Sequence, residues 1–386
     1  MTVLLDDGKA DPGTHVLLIG VGRYPFLNDG GDPANLFPLH MGMGQLSSPP
    51  LSVSAFATWL MDSGAGFHNP DRPLRSLQVL CSADVPVSIR DSSGTLQVVQ
   101  SAQMHLVRQA VRDWMKRAGR NPENMAVFFF CGHGLAFGEV ENALLLEDFG
   151  GDHGNPMADA IAFDSMRLGV MRHCGANHQV HFIDACRTPP NKHFLATYGD
   201  KATGDPIAAA GLSRDLRNKI APVYFAAGLA SAAYGLDGQP SLFTQGLLQS
   251  MHGPASRDKG NHWEVQVPAL AEGINKCVAS MAFQVQPQYC QPRDTGPELM
   301  IHRLRADPKV VVKVFTHDLN LLPQTVLAHI DEGTQKREVR SPAPSPWWVT
   351  LPAGAYRFEA LDAADTAQVL GQRRKYVMPP GAEVGL

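Results

Sequence analysis

The chain has 386 residues and a net charge of −4, from 33 lysines and arginines against 37 aspartates and glutamates. This balance argues against nucleic-acid binding, because nucleic-acid-binding domains usually have a pI above about 9. A hydrophobic content of 44% and a charged content of 18% are typical of a packed globular protein and exclude a disordered chain.

The sequence also lacks the marks of a membrane or secreted protein. No apolar run approaches the roughly 18 residues that a membrane-spanning helix needs, and the acidic start MTVLLDDGKADPG has no signal-peptide core. Six cysteines in so long a chain do not indicate a disulfide framework. We therefore expect a cytoplasmic protein with free thiols, no membrane attachment and no nucleic-acid partner.

Short apolar runs alternate with amphipathic segments between residues 14 and 300. Continuous apolar runs are typical of strands in a sheet that is covered on both faces. Strands are predicted at His15–Gly20, Leu77–Cys81, Met125–Phe130, Ala143–Leu146, Gln179–Ile183 and Pro222–Ala227. The alternation predicts an α/β fold with a mostly parallel sheet flanked by helices, in which ligands bind beyond the carboxyl ends of the strands.

Helices and long loops separate the predicted strands. The spacing of apolar residues predicts helices over 53–61, 101–118, 166–173 and 242–248, the last with Ser241 as its N-cap. Residues 22–51 and 188–220 are predicted to be extended loops, and loops of such length in a compact domain are usually functional or disordered.

The pattern changes near Asp307 and Pro308. Beyond them, Pro- and Gly-rich turns separate short segments with the period of two that is typical of strands. These strands are predicted at Lys309–Thr316, Thr325–Ile330, Trp347–Leu351 and Ala355–Ala360. We predict an α/β domain over 1–306 and a small all-β sandwich, an accessory domain, over 307–386.

Two polar motifs directly follow two predicted strands: CGHG at 131–134 and DACR at 184–187. If those strands are neighbours, the imidazole of His133 and the thiol of Cys186 face one cleft. A histidine can take the proton of a thiol or stabilise the thiolate, which is the nucleophilic form. The backbone N–H groups of Gly134 and Cys186 are the predicted donors to an oxyanion.

The order strand–GHG and then strand–DACR resembles the caspase and metacaspase cysteine peptidases of clan CD, as in a bacterial caspase homologue. The resemblance covers about residues 14–300, including VYFAAG at 223–228 and LFT at 242–244. Those two segments resemble the small-subunit strand and the start of the helix that follows it. The separation of 53 positions between His133 and Cys186 is close to the roughly 50 of caspase-type peptidases.

The resemblance implies a caspase-hemoglobinase fold with a large-subunit part over about 1–200, a linker over about 188–220 and a small-subunit part over about 220–306. It implies a cysteine endopeptidase that cleaves protein or peptide substrates through a thioester, with His133 and Cys186 as catalytic residues and no metal or other cofactor. Bacterial relatives of this type are often zymogens in stress, cell-death or antiviral defence systems, so the resemblance also implies a regulatory or activating protein partner.

The residues beside Cys186 depart from the caspase pattern Gln-Ala-Cys-Arg-Gly. Asp184 replaces the glutamine, as in metacaspases, and Thr188 replaces the glycine. The resemblance places Asp184 in the S1 pocket, where a carboxylate favours Arg or Lys at P1. The resemblance to metacaspases implies a second S1 acid near the start of the first helix, but Pro50–Ala55 contains no acid, so Asp29 or Asp32 in the preceding loop is its candidate. Gly228 is a further candidate for substrate binding.

Members of this clan are often cut in the linker when they mature. Specificity for a basic P1 residue predicts self-cleavage at one of the basic residues in 188–220. These are Lys192, Lys201, Arg214, Arg217 and Lys219.

Other interpretations stay open. The main alternative is a catalytically inactive caspase-like scaffold that binds a partner through its β domain. Asp184 is an alternative backbone-capping carboxylate at the end of a strand. A metal site at His173, Cys174, His178 and His181 is disfavoured because the spacing matches no ordinary zinc pattern. Calcium binding by the acids between 147 and 164 is disfavoured because they do not form a tight calcium loop.

Overall fold

The computed structural model describes residues 2–199, 204–208, 216, 218–229, 233, 235, 238–281 and 288–386. These residues fall into two compact units. Unit 1 comprises Met1–Gln245 and Gln288–Leu299, and unit 2 comprises Gly246–Pro287 and Met300–Leu386. The domain boundary predicted after residue 306 stays a prediction.

Helices and strands alternate along the first part of the chain. The helices of the described residues are α1 (Ser48–Met61), α2 (Met104–Ala118), α3 (Phe163–His173), α4 (Lys192–Tyr198), α5 (Leu242–Ser250) and α6 (Val267–Met281). None of the helices in these described parts of the chain is long and apolar enough to cross a membrane.

The strands are β1 (Thr2–Asp6), β2 (Thr14–Val21), β3 (Leu74–Ser82), β4 (Ser88–Arg90), β5 (Leu96–Val98), β6 (Met125–Gly132), β7 (Gly134–Gly138), β8 (Glu141–Leu145), β9 (Ala160–Ala162), β10 (His178–Ala185), β11 (Val223–Phe225), β12 (Ser256–Asp258), β13 (Trp263–Gln266), β14 (Gln291–Arg293), β15 (Met300–Arg303), β16 (Lys309–Phe315), β17 (Thr325–Asp331), β18 (Arg337–Arg340), β19 (Trp347–Pro352), β20 (Gly354–Asp362), β21 (Val369–Val377) and β22 (Gly381–Gly385). The β-strands thus continue to the end of the chain.

Unit 1 is built on a seven-stranded sheet in the order β1-β3-β2-β6-β10-β11-β14. The five central strands are parallel, and β1 and β14 pair antiparallel at the two edges. The predicted mixed α/β fold with a mostly parallel sheet is therefore present. Its parallel strands all end at one edge, which is where polar residues can line a site.

Successive aromatic side chains of β6 show how both faces of the sheet are covered. Phe128 contacts Trp114 of α2 and Phe163 of α3 on one face. Phe129, which points to the opposite face, packs edge-on against Phe56 of α1 with ring centroids 5.2 Å apart. Since β6 is apolar and buried along its whole length, polar groups for a cleft come from its last residues and from those just beyond its end.

Most predicted elements of unit 1 lie where the sequence places them, and one strand belongs to a different sheet. The predicted strand Ala143–Leu146 falls in β8, which pairs antiparallel with β7 and β9 in a separate three-stranded sheet. The predicted loop from residue 22 ends at Ser47, because α1 already begins at Ser48 with prolines in its first turn. The N-cap at Ser241 is confirmed, since its hydroxyl accepts the N–H of Thr244 at 3.0 Å.

Two sheets occupy the C-terminal part of unit 2, in the orders β19-β16-β22 and β18-β17-β20-β21. Side chains from both sheets belong to one buried cluster, which includes Val312, Leu327, Phe358 and Val384. Strands β16, β17, β19 and β20 match the four predicted strands closely. The assignment of this part as a sandwich accessory domain stays a prediction.

Candidate active site

The parallel pairing of β6 and β10 brings the two polar motifs together. In the register of these strands, Cys131 lies beside Asp184 and Gly132 lies beside Ala185. The next residues along the two strands are His133 and Cys186. The distant motifs thus emerge side by side at the carboxyl edge of the sheet.

A pocket of about 100 Å³ opens at this edge. Its walls come from the end of β6, the end of β10, the start of α1 and the segment before α5. The lining residues are Leu46, Ser48, Pro49, Cys131, Gly132, His133, Asp184, Cys186, Ala233, Gly235 and Ser241. The predicted catalytic thiol and imidazole therefore line the same pocket as the predicted S1 carboxylate.

Hydrogen bonds fix the orientation of His133. Its backbone N–H donates to the hydroxyl of Tyr24 at 2.8 Å, and its Nε2 lies 2.8 Å from the carbonyl oxygen of Gly44. A carbonyl only accepts, so Nε2 carries the proton and Nδ1 is left as the acceptor of the ring. Burial lowers the pKa of the imidazole, with the Gly44 hydrogen bond opposing this effect. The ring of His133 is therefore harder to protonate than a free imidazole.

The thiol of Cys186 is half-buried and lies against the backbone of Ala233. The N–H of Ala233 donates to Sγ at 3.3 Å, and the carbonyl of the same residue lies 3.9 Å from Sγ. Burial raises the pKa of this thiol, the N–H of Ala233 opposes the rise, and the nearby Asp184 adds to it. The thiol of Cys186 is thus harder to ionise than a free cysteine thiol.

Gly134 packs against the backbone of the predicted nucleophile. A Cβ at this position would lie 2.6 Å from the carbonyl oxygen of Cys186 and 3.0 Å from the Cβ of Ala185. Just beyond, the N–H of Ala136 donates to the carbonyl of Thr188 at 3.1 Å. The glycine thus permits the two segments of the chain to run in close contact past the site. The role of Gly134 as an oxyanion donor stays a prediction.

Asp184 is 3% exposed and is held by hydroxyl groups at the start of α5. The hydroxyls of Ser241 and Thr244 both donate to its Oδ2, the latter at 2.7 Å. Burial raises the pKa of this carboxyl, and the two hydroxyls and the Cys131 thiol oppose the rise. The carboxylate therefore ties β10 to α5 while also lining the pocket.

The other predicted substrate-binding residues lie elsewhere. Asp29 is exposed and has a left-handed backbone, with φ of 58°. Gly228 is half-buried beyond the end of β11. Among the described residues that line the pocket, neither is present, and their roles in binding stay predictions.

The predicted cleavage sites differ in accessibility. Lys192 is exposed at the first position of α4. The ammonium of Lys219 donates to the carbonyls of Cys174, Gly175 and Ala176 near the end of α3, at 2.7 to 3.3 Å. The other three predicted sites, Lys201, Arg214 and Arg217, lie outside the described residues.

Arg187 is buried, and the sequence indicates it only as the last residue of the DACR motif. Its guanidinium donates to the side chain of Asn142 at 3.0 Å and to that of Gln291 at 2.7 Å, and it lies over the ring of Phe225 at 4.3 Å. Burial lowers the pKa of this guanidinium. These contacts anchor the chain immediately after Cys186.

The histidine cluster is dispersed in the structure. His181 is fully buried between the rings of Phe128 and Phe163, and burial lowers its pKa to about 3. His178 instead lies against Arg72, with Nε2 and Nη2 3.1 Å apart. In the chain as far as the structure describes it, no group of three or more His, Cys, Asp or Glu side chains is arranged to hold a metal ion.

The described residues thus define an α/β protein with a thiol and an imidazole in one pocket at the carboxyl edge of a mostly parallel sheet. No family model matches the sequence. A relative from Sinorhizobium fredii, the uncharacterized protein y4kE, is 28% identical over 277 residues, which cover 68% of this chain and 74% of the relative.

Two solved structures are similar to this chain in their backbone structure. Caspase-1 from Spodoptera frugiperda is 8% identical, with 79% of this chain and 98% of that chain covered and a TM-score of 0.43. Protein GSU0716 from Geobacter sulfurreducens is 13% identical, with 74% of this chain and 94% of that chain covered and a TM-score of 0.41. Similarity at this level does not establish a shared activity.

Proposed function

We propose that the protein is a cysteine endopeptidase in which Cys186 is the nucleophile and His133 is the general base. The observation that carries the proposal is the in-register parallel pairing of β6 and β10, which ends with these two residues on the wall of one pocket. The Gly44 carbonyl supports it further, because it leaves Nδ1 of His133 as the proton acceptor.

The proposed reaction balances with these groups alone. Sγ of Cys186 attacks the scissile carbonyl carbon while its proton moves to Nδ1 of His133. The N–H groups of Gly134 and Cys186 stabilise the oxyanion. The C–N bond then breaks, the imidazolium gives its proton to the leaving amine, and water hydrolyses the thioester with His133 again as base.

A basic P1 residue is part of the proposal, because the carboxyl of Asp184 lines the pocket beside Cys186. Maturation by a cut in residues 188–220 is also part of it, and Lys192 is the accessible candidate among the described residues. In this proposal the C-terminal strands form a β-sandwich accessory domain, a regulatory or activating protein partner controls the enzyme, and the enzyme acts in a stress, cell-death or defence response.

A positional P1 peptide library, assayed with wild type and Cys186→Ala, tests the proposal. We expect hydrolysis after Arg and Lys that falls by at least about a thousandfold in Cys186→Ala, since the nucleophile is lost. Cys174→Ala, which removes a buried thiol outside the pocket, is the matched control and should retain activity. Equal rates in wild type and Cys186→Ala would refute the proposal.

An inactive scaffold is the second candidate, and the contact of Ala233 with Sγ of Cys186 favours it. A backbone unit that lies against the thiol restricts the approach of a substrate carbonyl. The same library separates the two candidates, because a scaffold gives no Cys186-dependent cleavage at any P1 residue.

A further inference from the structure

The loop between β2 and α1 contains a three-bond clamp made by one side chain. The Oε1 atom of Gln45 accepts the N–H of Tyr24 at 2.7 Å. Its Nε2 group donates to the carbonyls of Tyr24 and Asn28, both at 2.9 Å. The side chain thereby joins the two limbs of the loop and satisfies all but one of its own hydrogen-bonding directions.

The clamp is connected to His133 through two residues, Gly44 and Tyr24. Gln45 follows Gly44, whose carbonyl accepts the proton of His133 Nε2. Tyr24, which is fully buried, accepts the N–H of His133 with its hydroxyl and packs its ring 4.8 Å from the imidazole. One clamped loop therefore contacts both the backbone and the ring of the histidine.

The hydroxyl of Tyr24 also belongs to a closed ring of hydrogen bonds. It donates to the carbonyl of Leu145 at 3.3 Å, and the N–H of Leu145 donates to the carbonyl of His133 at 3.0 Å. The N–H of His133 completes the ring by donating to Tyr24. Each of the three residues donates one hydrogen bond and accepts one, so the backbone of His133 is held through both its N–H and its carbonyl.

Close packing leaves the clamp little freedom. A Cβ at Gly30 would meet the carbonyl oxygen of Tyr24 at 2.0 Å and Nε2 of Gln45 at 2.9 Å. The backbone at Gly30 therefore lies directly against the clamped groups, and their positions are fixed by contact as well as by hydrogen bonds.

We propose that Tyr24 and Gln45 are positioning residues that hold His133 in the tautomer with the proton on Nε2. Gln45 sets the place of the Gly44 carbonyl, and Tyr24 sets the place of the His133 backbone. This inference rests on the proposed function for its catalytic consequence, because only a general base needs Nδ1 unprotonated. The tautomer itself is measurable without activity.

The test measures the ¹⁵N shifts of the histidine rings in the full chain carrying Cys186→Ala. The His133 signals are identified by their loss in His133→Gln. We expect the pattern of a single tautomer protonated at Nε2, and a shift toward a mixture of tautomers in both Tyr24→Phe and Gln45→Met. Tyr198→Phe is the matched control, because it removes a hydroxyl that donates to the carbonyl of His153; it should leave the pattern unchanged.

Kinetics in the chain with Cys186 present give the second readout. We expect kcat to fall about tenfold in Tyr24→Phe and Gln45→Met while KM changes less than about twofold, since the base is misoriented and the binding surface is kept.

An unchanged tautomer pattern in both variants would overturn the inference, as would an equal loss of kcat in Tyr198→Phe. If Tyr24→Phe does not fold, Gln45→Met alone decides the question. A shifted pattern in a chain without Cys186-dependent hydrolysis would support the positioning role and refute the peptidase.

Discussion

Gly134→Ala should impair the proposed enzyme because of its position against Cys186. The new Cβ would lie 2.6 Å from the Cys186 carbonyl oxygen, which is 0.8 Å short of the 3.4 Å at which ordinary contact begins. The clashing atom is backbone, so a flexible side chain cannot relieve it. The start of β7 and the end of β10 must move apart by several tenths of an ångström.

The size of the effect follows from that displacement. A misplacement of about 1 Å in a catalytic group can lower a rate about a hundredfold. We therefore expect kcat/KM to fall by about thirtyfold to a hundredfold in Gly134→Ala. Overpacking costs about 1–3 kcal/mol of folding stability, which leaves an ordinary domain folded.

Gly138→Ala is the matched control on the same strand, since a Cβ there meets nothing within 4 Å. Steady-state hydrolysis of the preferred P1 peptide gives kcat/KM, and urea unfolding gives the stability of each variant. Activity of Gly134→Ala within about threefold of Gly138→Ala would refute the reasoning, because it would mean that the strand end yields without disturbing Cys186.

Two further predictions concern Asp184. Thr244→Val should lower the free energy of unfolding by about 2 kcal/mol in urea denaturation, because a hydrogen bond to a charged group is lost; Thr197→Val, which removes an exposed hydroxyl of α4, should change it by less than about 0.5 kcal/mol. Burial raises the pKa of Asp184 above 3.8, so the folded chain binds a proton more tightly than the unfolded chain and loses stability as the pH rises from about 4 through the folded-state pKa. Asp184→Asn should remove that decline in melting temperature, and an unchanged slope would contradict the prediction.

The sequence predicts the frame of the site because the frame depends on local patterns. The apolar run that forms β6 and the one that forms β10 each end at a polar motif, and parallel strands end at a common edge. The order of the strands then decides whether His133 and Cys186 meet. Apolar patterning does not encode that order, and the predicted cleft therefore remained conditional on the two strands being neighbours.

The contacts that tune the site depend on residues remote in the chain. Nothing near Asp184 in the sequence indicates that Ser241 and Thr244 supply its hydroxyl partners. The length of the loop after β2 predicts that the loop is functional, but length alone does not identify Tyr24 or Gln45 as its important residues. Such side-chain pairs are set by tertiary packing, so only their place in the fold reveals them.

The charge states of the proposed dyad decide when the thiol can react. Burial lowers the pKa of His133 and raises that of Cys186, so both are neutral at rest and the thiolate–imidazolium pair is disfavoured. The carboxyl of Asp184 adds to this, because negative charge near Sγ opposes its ionisation. In the proposed mechanism the proton therefore leaves the thiol only as a substrate carbonyl arrives. In this mechanism the reactivity of the thiol depends on the substrate and on displacement of the Ala233 contact.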